Sequence, residues 1–209
     1  RMPFCPCKYL PFVLENLPHN FVFLFPSNSQ LPTFIHPTTQ PLPPPPDVVI
    51  VSAARTPLGS FNGDLSSVPA PELGSIAIQE VMNRANLGVD DIDEVYLGNV
   101  VSAMVGQAPT KQAVLGAGLP NTIPCTTINK VCASGMKSVM MASQSIMLGQ
   151  QSIMLAGGFE NMSKIPFYIA RGSAGFGHGK IVDGMIFDGL WDPYDDQHMG
   201  NCAEDCAKR

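Results

Sequence analysis

The apolar residues of this chain fall into runs of two spacings, and the change from one to the other predicts the elements. Residues 47–53 (DVVIVSA) form a continuous β-branched run, the pattern of a strand buried on both faces. Over residues 71–86 the spacing becomes helical, with Leu73, Ile76, Ala77, Val81 and Ala85 on one face. Pro71 suits the first helical turn, and Gly88 supplies the stop. Residues 90–94 read as an acidic, solvated turn, since they lack the oxygen spacing of a calcium loop. A second strand is predicted over 94–101, a second helix over 109–116, a third strand over 125–129 and a third helix over 133–148. A fourth strand, 152–156, is closed by Gly157 and Gly158.

This alternation of strand and helix predicts an α/β fold with a mainly parallel sheet covered by helices on both faces. Helix 133–148 carries Ala, Ser, Met, Val and Ile on nearly every side and is expected to be the buried one. After Phe159 the regularity fades. Residues 172–179 (GSAGFGHG) are glycine-dense but neither follow a strand nor open a helix, so they read as a loop and not a nucleotide fingerprint. His198-Met199-Gly200 leads into a helical tail over 201–209. No internal repeat is evident.

Candidate chemistry centres on Cys132. It falls just past the third strand and just before the third helix, in the stretch Asn129-Lys130-Val131-Cys132-Ala133-Ser134-Gly135-Met136-Lys137. The first N–H groups of a helix and its dipole favour negative charge, and such a position favours the nucleophilic thiolate form of a cysteine. Sites in parallel sheets also form at the carboxyl ends of strands. The alternative for a single cysteine is a buried, inert thiol.

Composition narrows the classes. With 209 residues, 45% hydrophobic and 14% charged, the chain is long and apolar enough for a substantial core. A net charge of −5 and the lack of a basic stripe argue against nucleic acid as a partner. No apolar run approaches the ~18 residues of a membrane span. The six cysteines, at 5, 7, 125, 132, 202 and 206, have neither a disulfide framework nor zinc spacing. Residues 1–46 hold 12 of the 20 prolines, ending in Pro43-Pro44-Pro45-Pro46, and are expected to be an extended or disordered leader. They lack the Arg-rich, amphipathic character of an import peptide.

Several stretches together resemble the thiolase family: Arg55-Thr56-Pro57-Leu58-Gly59-Ser60-Phe61, Gly98-Asn99-Val100, Gly106-Gln107-Ala108-Pro109, and 129–137 around Cys132. Gly157-Gly158-Phe159-Glu160-Asn161-Met162-Ser163 and His198-Met199-Gly200-Asn201-Cys202-Ala203-Glu204 complete the series in family order. The Cys132 stretch is similar to the biosynthetic branch, nearest the mitochondrial acetoacetyl-CoA thiolases. The degradative 3-ketoacyl-CoA thiolases, the alternative, usually carry Cys-Ser-Ser-Gly there.

The resemblance implies the N-terminal part of a thiolase-like fold: an α/β domain over 47–160, the start of an irregular loop domain over 161–209, and the C-terminal thiolase domain absent. It implies a Claisen condensation of two acetyl-CoA to acetoacetyl-CoA and CoA, and its thiolytic reverse, with Cys132 as the acetyl-carrying nucleophile and its N–H in an oxyanion hole. It implies that Tyr194 lies beside CoA and a potassium ion, and that His198 and Met199 belong to the pocket covering the substrate. On its own, Tyr194 reads equally as a loop aromatic filling a small core. No covalent cofactor is implied, only coenzyme A thioester substrates, with potassium as an accessory ion. The family's further catalytic parts are an Asn-bearing segment, a Gly-His-Pro histidine and a Cys-x-Gly-Gly-Gly cysteine, and these 209 residues contain none of them. The chain is therefore expected to be a fragment that cannot run the full reaction. The full-length form is expected to be a homodimer or homotetramer, located in the mitochondrial matrix or, alternatively, the cytoplasm. A non-catalytic product that associates with full-length subunits is the reading from a different class.

Overall fold

The computed structural model describes residues 47–173 and 175–209, so the leader expected over 1–46 lies outside the described residues. Its centre is a parallel sheet of three strands, β1 (Glu94–Gly98), β2 (Cys125–Ile128) and β3 (Met154–Gly158), in the order β2-β1-β3. β1 pairs Val95 with Cys125 on one side and with Leu155 on the other. Three helices accompany it: α1 (Ala70–Ala85), α2 (Pro109–Gly116) and α3 (Ser134–Met147).

Side-chain alternation along β1 assigns the layers. Val95 and Leu97 join the buried cluster with Ile78 and Met82 of α1 and Ala113 and Val114 of α2. Gly98 faces the other way, against the start of α3. Helices therefore cover both faces, as the strand–helix alternation predicts, and α2 coincides with its predicted range.

Four expectations are corrected. Residues 47–53 form no strand, and Val49, Ile50 and Val51 are exposed. Among the described residues no strand pairs with this run. It lies along α1 instead, where the Ser52 hydroxyl donates to the Val81 carbonyl (3.0 Å) and the Arg84 guanidinium to the Ala53 carbonyl (2.9 Å). The buried stripe of α1 is Ala70, Pro71, Gly74, Ser75, Ile78 and Met82, rotated from the predicted face, and Ile76 is exposed. Small residues win that face because α2 comes close: a Cβ on Gly74 would lie 2.8 Å from Phe159 and 3.0 Å from Ala113, and Ser75 donates to the Ala113 carbonyl. α1 is closed by Asn86 in the left-handed region (φ 52°), ahead of Gly88.

The fourth correction concerns α3. It buries Ser134, Ser138, Ala142 and Ser145, while Met136 (69% exposed), Val139, Met140 and Met147 face outward. The sheet beneath α3 carries glycines at 98, 157 and 158, so only small residues fit between the two backbones. A Cβ on Gly98 would sit 2.6 Å from the Ser134 carbonyl carbon.

Beyond β3, β4 (Phe167–Ile169) and β5 (Ile181–Asp183) pair antiparallel and frame the glycine-dense loop. A π turn (Ile186–Leu190) leads to the two-residue strands β6 (Trp191–Asp192) and β7 (Gln197–His198), then to α4 (Met199–Ala207). Among the described residues no helix is long and apolar enough to cross a membrane.

Candidate active site

Cys132 stands beyond the carboxyl end of β2, one residue before the residue that precedes α3, with an exposed, free thiol. The turn that carries it is built by local bonds. The Asn129 carboxamide oxygen accepts from the Val131 N–H (2.9 Å). The Ser134 hydroxyl accepts from the Lys130 N–H (2.8 Å) and donates to the Val131 carbonyl. The Ala133 and Ser134 N–H groups close back on the Lys130 and Val131 carbonyls. These bonds use the N–H groups of Lys130, Val131, Ala133 and Ser134 and leave that of Cys132 unspent among the described residues.

Val131 pays for this geometry. Its φ is +49°, a region that crowds a β-branched side chain. A residue held there typically stores roughly 1–3 kcal/mol, and such residues gather at functional sites. Nothing in the composition of 129–134 announces it, although an asparagine two residues ahead of a turn is the usual partner of such a bend.

The loops after β1 and β3 complete the setting. Glu160, two residues past the end of β3, accepts from the Asn99 carboxamide (2.9 Å), the Val100 N–H (2.8 Å) and the Val101 N–H (3.3 Å). Burial pushes its carboxyl above the ordinary glutamate range, against the pull of those three donors. Asn99 is 2% exposed and also donates to the Phe159 carbonyl (3.2 Å), while its own oxygen is buried without a partner among the described residues. The Asn129 carboxamide nitrogen donates to the Val100 carbonyl (3.2 Å), so the loops after all three strands meet. Sequence reasoning placed Asn99, Asn129 and Glu160 in family-like stretches but gave them no role.

The remaining candidates lie on the last elements. Tyr194, 94% exposed, sits between β6 and β7 with its N–H on the Asp192 carboxylate. His198 caps α4, its Nδ1 accepting from the Gly200 N–H (2.9 Å), and Met199 opens that helix. No hydrogen bond among the described residues joins these three to the Cys132 turn. The Tyr194 ring is open to solvent, and no three His, Cys, Asp or Glu side chains among the described residues gather to hold a metal ion. No chemical step is routed through potassium. The other described cysteines, 125, 202 and 206, are free, and burial pushes the Cys125 thiol up.

Residues 48–209 match the family model for the thiolase N-terminal domain. Acetyl-CoA acetyltransferase 2 of Arabidopsis thaliana is 57% identical over 167 residues, 79% of this chain and 41% of that protein. The mitochondrial acetyl-CoA acetyltransferase of Bos taurus is 57% identical over 163 residues, covering 78% and 39%, and that of Homo sapiens is 57% identical over 163 residues, covering 78% and 38%. The chain thus spans about two fifths of the length of these relatives.

Proposed function

The chain belongs to the thiolase family, and from that premise we propose that Cys132 is its acyl-carrying nucleophile, taking acetyl from acetyl-CoA. The relatives named above are acetyl-CoA acetyltransferases, which supports acetyl-CoA as the substrate and acetoacetyl-CoA with CoA as the products. The single observation that carries the proposal is an exposed thiol on a strained turn whose own N–H makes no hydrogen bond among the described residues.

In the first step the Cys132 thiol gives up its proton to solvent and its sulfur attacks the acetyl carbonyl carbon. The carbonyl electrons move onto oxygen, and the Cys132 N–H donates a hydrogen bond to the developing oxyanion. The C–S bond to CoA then breaks, CoA leaves as its thiolate and takes up a proton, and acetyl remains on Cys132 as a thioester. The thioester keeps the acyl group activated for transfer. In the second step a second acetyl-CoA, once its α-proton has been removed, attacks that thioester; acetoacetyl-CoA forms as the C–S bond to Cys132 breaks, and the released Cys132 thiolate takes up a proton. The family groups assigned to proton removal and to a second oxyanion contact are not among these 209 residues. A lost general base typically costs roughly 10²–10⁴ in rate and a lost oxyanion donor roughly 10²–10³. The 209 residues taken alone therefore accept acetyl without turning over.

Mass spectrometry of the chain after incubation with acetyl-CoA tests the first step. The expected result is one acetyl adduct on the peptide holding Cys132 and none in Cys132→Ala; an unmodified Cys132 refutes it. CoA-dependent cleavage of acetoacetyl-CoA by the purified chain would refute the second conclusion.

Tyr194, His198 and Met199 are proposed to cover the substrate from the β6–β7–α4 segment, and 47–160 and 161–209 to be the α/β and loop domains. For a full-length form the reading is a homodimer or homotetramer of the mitochondrial matrix. The mitochondrial relatives support that location, which imaging of a tagged chain checks.

A further inference from the structure

The Cys132 N–H belongs to the peptide that joins it to Val131, so the backbone angles of Val131 aim it. Val131 is held at φ +49° by groups outside itself. One is Asn129, whose side chain accepts from the Val131 N–H and donates to the Val100 carbonyl, 29 residues away in sequence. Val100 is held in turn by Glu160, 60 residues further along the chain.

Glu160 needs an explanation of its own. A half-buried carboxylate is costly unless it finds charges or donors. The ion pairs among the described residues, Arg84–Glu80 and Lys208–Asp205, do not include it. All three of its hydrogen bonds go to the one loop, Asn99, Val100 and Val101, that Asn129 grips from the other side. We propose that Glu160 and Asn129 are positioning residues for Cys132, coupling the loop after β3 through the loop after β1 to the strained turn. This rests on Cys132 being the acetyl-carrying nucleophile, because its purpose is to fix the N–H that meets the oxyanion.

The test uses the 209-residue chain with Glu160→Gln, Asn129→Asp, and Gln151→Ala as a control. Gln151 bonds Glu94 (3.0 Å), the residue that begins β1, at the opposite end of the sheet. Amide hydrogen exchange is followed at Val100, Val101 and Val131. Acetylation of Cys132 by acetyl-CoA is measured against its alkylation by iodoacetamide, which needs no oxyanion contact. A lost hydrogen bond of ordinary strength changes an equilibrium by about fivefold. Glu160→Gln is therefore expected to speed exchange about fivefold at Val131 as well as at Val100 and Val101. The ratio of acetylation to alkylation should fall by a similar factor.

Asn129→Asp keeps the acceptor for Val131 but loses the donor to Val100. It should loosen Val131 likewise, and its exposed side chain leaves the core intact should Glu160→Gln fail to fold. Exchange at Val131 that stays at the parent rate in either folded variant overturns the proposal. So does a control that loosens Val131 as much as they do. If the parent chain takes no acetyl group, the nucleophile reading fails by itself, and the exchange arm still decides whether Glu160 and Asn129 govern Val131.

Discussion

Replacing Gly98 by alanine should damage this protein more than any other small change at the sheet. The added Cβ would lie 2.6 Å from the Ser134 carbonyl carbon, 2.7 Å from the Gly135 nitrogen and 2.7 Å from the Ser134 Cβ. Carbon atoms in contact sit about 3.5–4.0 Å apart, so about 1 Å of movement is required. Two of the three atoms are backbone at the start of α3, which no rotamer change can move aside. Overpacking typically costs about 1–3 kcal/mol, and a clash against backbone belongs at the upper end, about 3 kcal/mol. In a domain whose total stability is about 5–15 kcal/mol, that is a large fraction. Gly157→Ala is the comparison, because its Cβ would meet only Leu97 Cδ2 at 3.6 Å, an ordinary contact. Urea unfolding of both variants should show a loss of about 3 kcal/mol for Gly98→Ala and less than about 1 kcal/mol for Gly157→Ala. Equal losses, within about 0.5 kcal/mol, would refute the view that backbone approach sets the position of α3.

Three further outcomes are expected. Glu160 has a folded pKa above its unfolded value, so the folded state holds the proton longer and stability falls as pH rises through the window from about 4.5 to that raised value. Unfolding curves across this window should flatten in Glu160→Gln, and an unchanged slope counts against the assignment. Ser138 is fully buried, with its hydroxyl within hydrogen-bonding distance of the Gly135 carbonyl (2.6 Å) and the Gly157 carbonyl (2.7 Å). Ser138→Ala should cost about 1–2 kcal/mol in urea unfolding, and a loss below about 0.3 kcal/mol would contradict the tie between α3 and β3. Tyr168 donates to the Asp188 carboxylate (2.6 Å), and burial first, then that bond, push its phenol up to about 12. Ultraviolet titration should find one tyrosine ionising late, and Tyr168→Phe should remove that step.

The three strands of the central sheet, α2 and the placement of Cys132 were readable because local chemistry decides them. The run that opens at Glu94 and the Pro109 start need no partner to be recognised, although the strand predicted over 94–101 stops at Gly98. Failures came where a neighbour decides. The β-branching of 48–51 tells what a strand would accept but not whether another strand lies beside it. On α1 the apolar residues marked the wrong face, because Gly74 and Ser75 meet α2, and α3, expected to be buried on nearly every side, buries only its small face, where Ser134 and Ser138 meet glycines of the sheet. At the site, a cysteine between strand and helix could be seen. The left-handed Val131 could not, since its β-branched side chain opposes that conformation and the local bonds that keep it there are themselves tied to distant loops.

The meeting of three loops also sets the order in which the molecule comes apart and together. β1 joins β2 across about 30 residues and β3 across about 60, and each doubling of a closed loop costs about 0.6 kcal/mol more in chain entropy. β3 is an edge of the three-stranded sheet, yet the loop that follows it carries the glutamate that anchors the loop gripped by Asn129. The thiol's surroundings are thus a late product of folding and an early casualty of partial opening: fraying at β3 would release the turn while β1, β2, α1 and α2 stayed packed. Acyl transfer should therefore be lost on warming before the bulk of the helix signal is.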